Sequence, residues 1–181
     1  YIRRIVQENK KRMNFDAIFP EHVSTWQMNM GKIDEEEAYE WYLAEKKLFG
    51  WERVAFVEHS SGLLGCSPDV VQLEFGELKI VNGVEIKSPQ SINGYSELID
   101  CRTGDDLKDA KFDYWCQTQF NMYVCKLPSW EFLMFVNKEK RKCGAECNDF
   151  TVYKNDKVHE CFDLILANLQ NELRDNSTTI L

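Results

Sequence analysis

The 181-residue chain carries a net charge of −8, with 44% hydrophobic and 29% charged residues, which fits one soluble globular domain with its own core and excludes a disordered or fibrous chain. No apolar run approaches the roughly 18 to 20 residues of a membrane span and no signal-peptide pattern opens the chain, so no membrane partner is expected. Seven scattered cysteines, an odd number, argue against a secreted disulfide framework and for a reducing intracellular compartment, cytoplasm or nucleus.

The acidic balance argues mildly against a general phosphate binder. Local distribution counts for more, because acids that hold divalent ions are neutralised by them. Arg3, Arg4, Lys10, Lys11 and Arg12 form one basic cluster, and Lys138, Lys140, Arg141 and Lys142 another. Each is either a phosphate contact or an ordinary solvated face.

In chain order, IRRIVQENKKRM places Ile2, Ile5, Val6 and Met13 on one helical face directly after Tyr1. So abrupt an opening gives the expectation of one domain over 1–181 that lacks a preceding N-terminal segment. After a loop at Pro20, Asp34 reads as the N-cap of a helix over 34–49, with acids in its first turn and Gly50 as its stop. Arg53 to Glu58 reads as a strand and Ser60-Ser61-Gly62 as a tight turn.

Strands are then predicted over 69–75 and 79–87, meeting across Gly76, with a bulge or bend at Asn82-Gly83. On the second, Val84, Ile86 and Ser88 share one face, while Glu85 and Lys87 share the other and meet Asp69. Residues 88–109 read as a loop with a short helix near Tyr95 to Cys101, and 111–126 as a strong helix. On that helix Tyr114, Gln117 and Asn121 form one stripe and Trp115, Phe120 and Val124 another. Strands over 130–137 and 150–153 follow, then a capped amphipathic helix over 156–174 and a flexible tail over 175–181.

The chemistry concentrates in LGCSPDVVQLEFGELKIVNGVEIKSP, residues 64–89. Asp69, Glu85 and Lys87 bring two carboxylates and one amine to two neighbouring strands. Phosphodiester hydrolysis needs an activated water, neutralisation of charge at phosphorus and help for the leaving oxygen. Hard ions such as Mg²⁺ or Mn²⁺ supply all three and prefer oxygen ligands. Asp69 and Glu85 are then the first ligands, with Asp69 placed to bridge two ions and the main-chain carbonyl of Ile86 as a third. Lys87, kept charged by the acids, orients the water and stabilises developing charge. The plain alternative is a surface salt bridge worth under about 1 kcal/mol.

The motif order resembles the PD-(D/E)XK nuclease superfamily, and within it the YqaJ viral-recombinase group, the phage lambda exonuclease-like family. The residues that carry it are Gly31 and Glu35 in GKIDEEEAYEWY, Ser67-Pro68-Asp69 in GCSPD, Glu85-Ile86-Lys87 in EIKSP, and Tyr114, Gln117 and Gln119 in YWCQTQFNMY. The resemblance spans residue 31 to about residue 136. It implies an α/β fold with a restriction-endonuclease-like core, a central mixed β-sheet flanked by helices. It also implies a metal-dependent exonuclease that degrades duplex DNA from free ends, 5′ to 3′, in recombination or DNA processing, commonly as a homo-trimer working with a single-strand annealing protein, and of viral or phage origin.

By the same resemblance Glu35 is the helix carboxylate that assists the second metal, its register left open by Glu36 and Glu37. Gln117 steadies Lys87 or the substrate. Ser67, Tyr114 and Gln119 fall at positions that meet substrate. The family's upstream helix and loop, with a residue that grips the DNA end, has no counterpart here. A cap-snatching-like or structure-specific endonuclease and a non-catalytic DNA- or protein-binding domain are the alternatives. His22, His59 and His159 are widely spaced and none falls where Glu35 does, which argues against the former's metal histidine, and the cysteine spacing supports neither an iron-sulfur cluster nor zinc.

Overall fold

The computed structural model of the chain describes residues 26–46, 50–74, 77 and 79–178. Helix α1 spans Trp26–Lys46, followed by the short strands β1 (Trp51–Glu52), β2 (Val57–Glu58) and β3 (Gly65–Cys66), then β4 (Val70–Leu73) and β5 (Ile80–Lys87). Helices α2 (Ile92–Ile99), α3 (Gly104–Ala110) and α4 (Phe112–Cys125) lead to β6 (Ser129–Met134). Helix α5 (Lys138–Lys142), β7 (Asn148–Tyr153) and α6 (Asp156–Thr178) complete the order.

Among the described residues the strands form a five-stranded sheet ordered β1-β4-β5-β6-β7 and a separate β2-β3 pair. Only β5 and β6 pair in parallel; the other neighbours are antiparallel. A parallel pair needs a long crossover, and α2, α3 and α4 provide it. The sheet is mixed, and helices lie on both of its faces.

Strand alternation decides what each face buries. Val70, Val84, Ile86, Leu133 and Phe135 pack with Ala38 and Tyr42 of α1 on one face. Val71, Trp130, Phe132, Met134, Phe150 and Val152 pack with Leu98, Leu107, Trp115 and Met122 of the crossover helices on the other. Glu85 pairs with Phe132 across the ladder, so the charged side of β5 lies under α4 rather than in solvent.

Several local expectations change. The opening helix, the Pro20 loop, the first basic cluster and His22 lie outside the described residues, as do the ends of the expected helix and strand at 47–49 and 75. Asp34 is not an N-cap: α1 begins at Trp26, and Asp34 sits inside it, 2% exposed. Side-chain amides of Gln90 (2.7 Å) and Asn137 (3.2 Å) donate to its carboxylate, which is how a mid-helix acid tolerates burial.

The strand expected over 53–58 is split between β1 and β2. The turn between β2 and β3 closes through His59 N–H to Leu64 O (2.8 Å) and Gly62 N–H to His59 O (2.9 Å), with Gly62 at φ +69°. In the β4–β5 hairpin the register slips between Gln72↔Asn82 and Leu73↔Ile80, which leaves Val81 as the extra residue, one position before the expected bulge. Gly83 is required by a close approach: a Cβ there would lie 2.2 Å from the Trp130 ring.

The stretch over 88–109, expected as a loop with a short helix near Tyr95 to Cys101, holds two helices: α2 begins earlier than that helix, at Ile92, and α3 was not expected. Ser91 caps α2, and Thr103 caps α3 through a reciprocal capping box with Asp106. Gly94 falls in the first turn of α2 and Gly104 opens α3, positions where glycine does not break a helix. The final helix continues to Thr178, past the expected fraying point at Asp175.

Candidate functional site

Strand β4 begins at Val70, paired with Val84. Asp69 lies just before it, where β4 no longer covers β5, and its Oδ2 accepts the Ile86 N–H at 2.6 Å. In an extended strand the N–H and C=O of one residue point to the same edge. The Ile86 carbonyl therefore also turns toward Asp69. Lys87, by alternation, faces the other neighbour, and its carbonyl accepts from Phe135 N at 2.9 Å.

Glu85 is 5% exposed and has two partners. Its Oε2 accepts from Asn121 Nδ2 at 2.9 Å, and its Oε1 forms a close ion pair with Lys87 Nζ. The Lys87 ammonium lies 5.2 Å from the centroid of the Tyr114 ring, itself stacked on Phe132. Helix α4 thus presents Tyr114 and Asn121, two turns apart on one face, to the charged side of β5.

Burial, then the neighbouring Glu85 charge, pushes the Asp69 carboxyl up to about 7. Glu35 adds to that effect, while Lys87 and the Ile86 N–H oppose it without cancelling it. Burial works against charge on Lys87, but Glu85 and Asp69 outweigh it and hold the ammonium above its ordinary lysine value. The result is two carboxylates short of positive charge beside one retained cation.

The remaining expected site residues divide. Glu35 is half-buried on α1, and its charge reaches Asp69. Glu36 pairs with Arg53, and Glu37 accepts from Arg141 (3.2 Å) and from Lys138 N (2.7 Å), so both are engaged elsewhere. Ser67 is exposed beside Asp69, and Gln117 is exposed on α4. Gln119 belongs to the scaffold instead: it is fully buried, its Nε2 donates to Tyr153 O (2.9 Å) and its Oε1 accepts from Asn155 N (2.8 Å). Fully buried and tied at both ends of its amide, it is out of a substrate's reach.

Asn121 is the contact that sequence reasoning missed. Its place on the Tyr114–Gln117 stripe was the available signal. The second basic cluster is largely used internally. Arg141 lies over Trp41 and Phe135 and pairs with Glu37, Lys140 Nζ donates to Pro89 O (3.1 Å), and Lys142 pairs with Glu139 (2.7 Å).

Among the described residues no three His, Cys, Asp or Glu side chains converge as a metal cage. The donor set at the junction is two hard carboxylates and an adjacent main-chain carbonyl, which fits Mg²⁺ or Mn²⁺. Mg²⁺ is commonly held by one or two carboxylates, with water and substrate phosphate completing its shell. The raised Asp69 carboxyl fits the same reading, since a divalent ion relieves the repulsion between the acids. A cavity of about 480 Å³ begins two residues beyond Lys87, at Pro89, and runs between α2 and α5; none of the acids at the junction lines it.

No family model and no curated protein matches the chain by sequence. Among solved structures, an alkaline exonuclease (LHK-Exo) from Laribacter hongkongensis aligns over 98% of this chain and 80% of its own, with a TM-score of 0.61 and 15% identity. The structure of LHK-Exo in complex with dAMP aligns equally. At that identity the likeness establishes the fold: this chain has a restriction-endonuclease-like α/β core, a mixed central sheet flanked by helices, shared with an alkaline exonuclease.

Proposed function

We propose that the chain is a Mg²⁺- or Mn²⁺-dependent deoxyribonuclease of the YqaJ, lambda exonuclease-like group of PD-(D/E)XK enzymes, removing nucleotides 5′ to 3′ from the ends of linear duplex DNA. The observation that carries this reading is the meeting of Asp69, Glu85 and Lys87 at the start of β4, with Asp69 held on the Ile86 N–H. The shared fold with an alkaline exonuclease supports it.

Asp69, Glu85 and the Ile86 carbonyl would hold the ions, with Glu35 assisting the second. Once bound, the ions supply a water of lowered pKa and charge neutralisation at phosphorus. Lys87, fixed by Glu85 and kept protonated, donates to the attacking water or to a phosphoryl oxygen as negative charge builds there. Asn121 holds the Glu85 carboxylate in orientation, and the Tyr114 ring shields the Lys87 ammonium from bulk water. Ser67 and Gln117 meet the substrate beside the acids. Gln119 is withdrawn from that role. From the resemblance, the reading carries with it a homo-trimer and a single-strand annealing partner in a recombination or DNA-processing pathway.

The deciding experiment incubates the protein with end-labelled linear duplex and with closed-circular DNA, in Mg²⁺, Mn²⁺ or EDTA. Loss of the linear form alone, only with divalent ion, and abolished by Asp69→Ala, Glu85→Ala or Lys87→Ala in folded protein, is expected. Equal cutting of the circle would remove the exonuclease assignment. No cutting of either form would leave a nuclease-like binding domain.

A further inference from the structure

Asp34, buried in the middle of α1, has no part in the chemistry proposed above. It shares one helix stripe with Ala38 and Tyr42, at i, i+4 and i+8, and all three are buried. Ala38 and Tyr42 pack on the sheet, and an apolar side chain at 34 would continue that packing. A buried carboxylate gives up solvation, and exchanging a buried charge for a hydrophobic residue of similar size is often neutral or stabilising. What the carboxylate adds is direction. Its Oδ2 accepts from Gln90 Nε2 at 2.7 Å and its Oδ1 from Asn137 Nδ2 at 3.2 Å. Gln90 lies three residues past the end of β5 and Asn137 three past the end of β6. Those strands are parallel, so both loops leave the same edge of the sheet. Each amide is itself oriented: Gln90 Nε2 also donates to Ser88 O (3.0 Å), and Asn137 Oδ1 accepts from Lys140 N (3.1 Å).

The next turns of α1 fix its direction. Tyr39 OH donates to Trp51 O (3.2 Å), and the Tyr42 ring meets Trp51 edge-on with centroids 5.8 Å apart. Trp51 pairs with Gln72 of β4, which pairs in turn with Asn82 near the start of β5. With Tyr39 and Tyr42 at that level and Asp34 beyond Lys87, the helix runs antiparallel to β5 and therefore in the direction of β4. Glu35 is one turn back from Tyr39, about 6 Å along the helix axis, and about 6 Å along a strand is two residues. That step leads from Gln72 to Val70, so Glu35 lies level with the start of β4, beside Asp69.

Glu36 and Glu37 are held by Arg53 and Arg141. Glu35 has no such ion pair among the described residues, so its position follows from where the helix lies. Apolar packing resists sliding weakly because it is non-directional, whereas two hydrogen bonds to oriented amides fix both the slide and the rotation of α1.

We propose that Asp34 is a positioning residue of the acid site: by tying α1 to the loops beyond β5 and β6, it holds Glu35 beside Asp69 to share the second divalent ion. Its role toward the ions rests on the nuclease reading.

The test compares the wild-type chain with Asp34→Leu, with Gln90→Ala and with the exchange Asp34→Asn plus Gln90→Glu. In the exchange the new amide donates to the new carboxylate, and its oxygen still accepts from Asn137. Each protein is titrated with Mn²⁺ by calorimetry, unfolded with urea in EDTA, and given end-labelled linear duplex DNA. Asp34→Leu should match or exceed the wild-type unfolding midpoint. It should nonetheless weaken the second Mn²⁺ about 10- to 100-fold, the scale of losing an outer partner of a metal ligand. Digestion should slow about a hundredfold, as a misplacement of about 1 Å does. Gln90→Ala, a change at an exposed side chain, should show the same two losses in smaller measure, and the exchange should restore both.

A purely structural role makes the losses follow the unfolding midpoint instead. Asp34→Leu that folds and takes up both ions as wild type does overturns the proposal. If that variant does not fold, Gln90→Ala with wild-type ion binding overturns it, and so does an exchange that restores neither loss. A wild type that takes up no second ion also removes the role given to Asp34. One that takes up two ions and cuts no DNA overturns the nuclease reading, while the Mn²⁺ titration still reports on Asp34.

Discussion

Replacing Asp69 with asparagine should abolish activity and make the metal-free protein more stable. The carboxyl is pushed from its ordinary 3.8 up to about 7, by burial first and by Glu85 next. Below about pH 4 it is neutral in both folded and unfolded chains and contributes nothing. Between about 4 and 7 the unfolded chain releases the proton while the folded chain keeps it, so stability falls as pH rises. By pH 8 the folded state bears the whole cost. At 1.36 kcal/mol per tenfold change, a rise from 3.8 to about 7 corresponds to about 4 kcal/mol. Asp69 is half-buried, so solvent screening brings the expectation to roughly 2–4 kcal/mol. Asparagine keeps an oxygen for the Ile86 N–H and removes the charge. Urea unfolding at pH 8 in EDTA should show the Asp69→Asn variant more stable by that amount, with the gap closing toward pH 4. Added Mg²⁺ should stabilise the wild type and leave the variant unchanged. A variant less stable than wild type at pH 8, or equally stabilised by Mg²⁺, would refute the idea that these acids are strained until a cation joins them.

Other substitutions separate site from scaffold. Asn121→Ala leaves a buried Glu85 oxygen without its donor and should cost about 2 kcal/mol in urea unfolding at pH 8, the scale of a hydrogen bond to a charged group, with reduced metal-dependent activity. Gln119→Leu removes the ties to Tyr153 O and Asn155 N. It should cost about 2–3 kcal/mol while leaving activity per folded molecule intact; loss of activity at full folding would return Gln119 to the site. His159 is buried with Nε2 unpartnered among the described residues, and burial first, then Lys154, depress its pKa. Its contribution to stability is present above the ordinary 6.5 and is lost as pH falls below that value, because the unfolded chain takes up the proton first. Melting temperatures from pH 7.5 to 5.5 should fall less steeply in His159→Phe, which keeps the packing against Tyr123 and Phe162.

The candidate site was legible where its geometry is local. Pro68 ahead of Asp69 marks a strand start, and alternation alone puts Glu85 and Lys87 on one face, so their convergence needed only that the two strands be neighbours. What was illegible depended on partners far along the chain. Asp34 looked like a cap because its buried state is made acceptable by Gln90 and Asn137, 56 and 103 residues away. Gln119 sat in a motif position that promised substrate contact, yet its amide is used to anchor Tyr153 and Asn155. Helix α3 was hidden, and the start of α2 misplaced, by glycines whose cost depends on position: Gly94 and Gly104 occupy first turns, where Ser91 and Thr103 supply caps that a breaker count overlooks.

On the proposed nuclease reading, the charge balance bears on how the chain would hold DNA. With a net charge of −8, long-range attraction to a phosphate backbone is weak. Lys140, Arg141 and Lys142 of α5 each have an internal partner, so that cluster offers less to DNA than its composition promises. Lys87 already shares its charge with Glu85. On that reading much of the attraction for a phosphate at the junction would come with divalent ions, which would turn a repulsive pair of carboxylates into a cationic patch. Affinity for a short duplex should accordingly fall at least about tenfold, or 1.4 kcal/mol, when EDTA replaces Ca²⁺, an ion of the same charge and oxygen preference. Asp69→Ala should bind equally in both. Fluorescence anisotropy with an end-labelled duplex reads this directly. Equal affinity with and without divalent ion in the wild type would mean that basic side chains, not the ions between Asp69 and Glu85, carry the DNA.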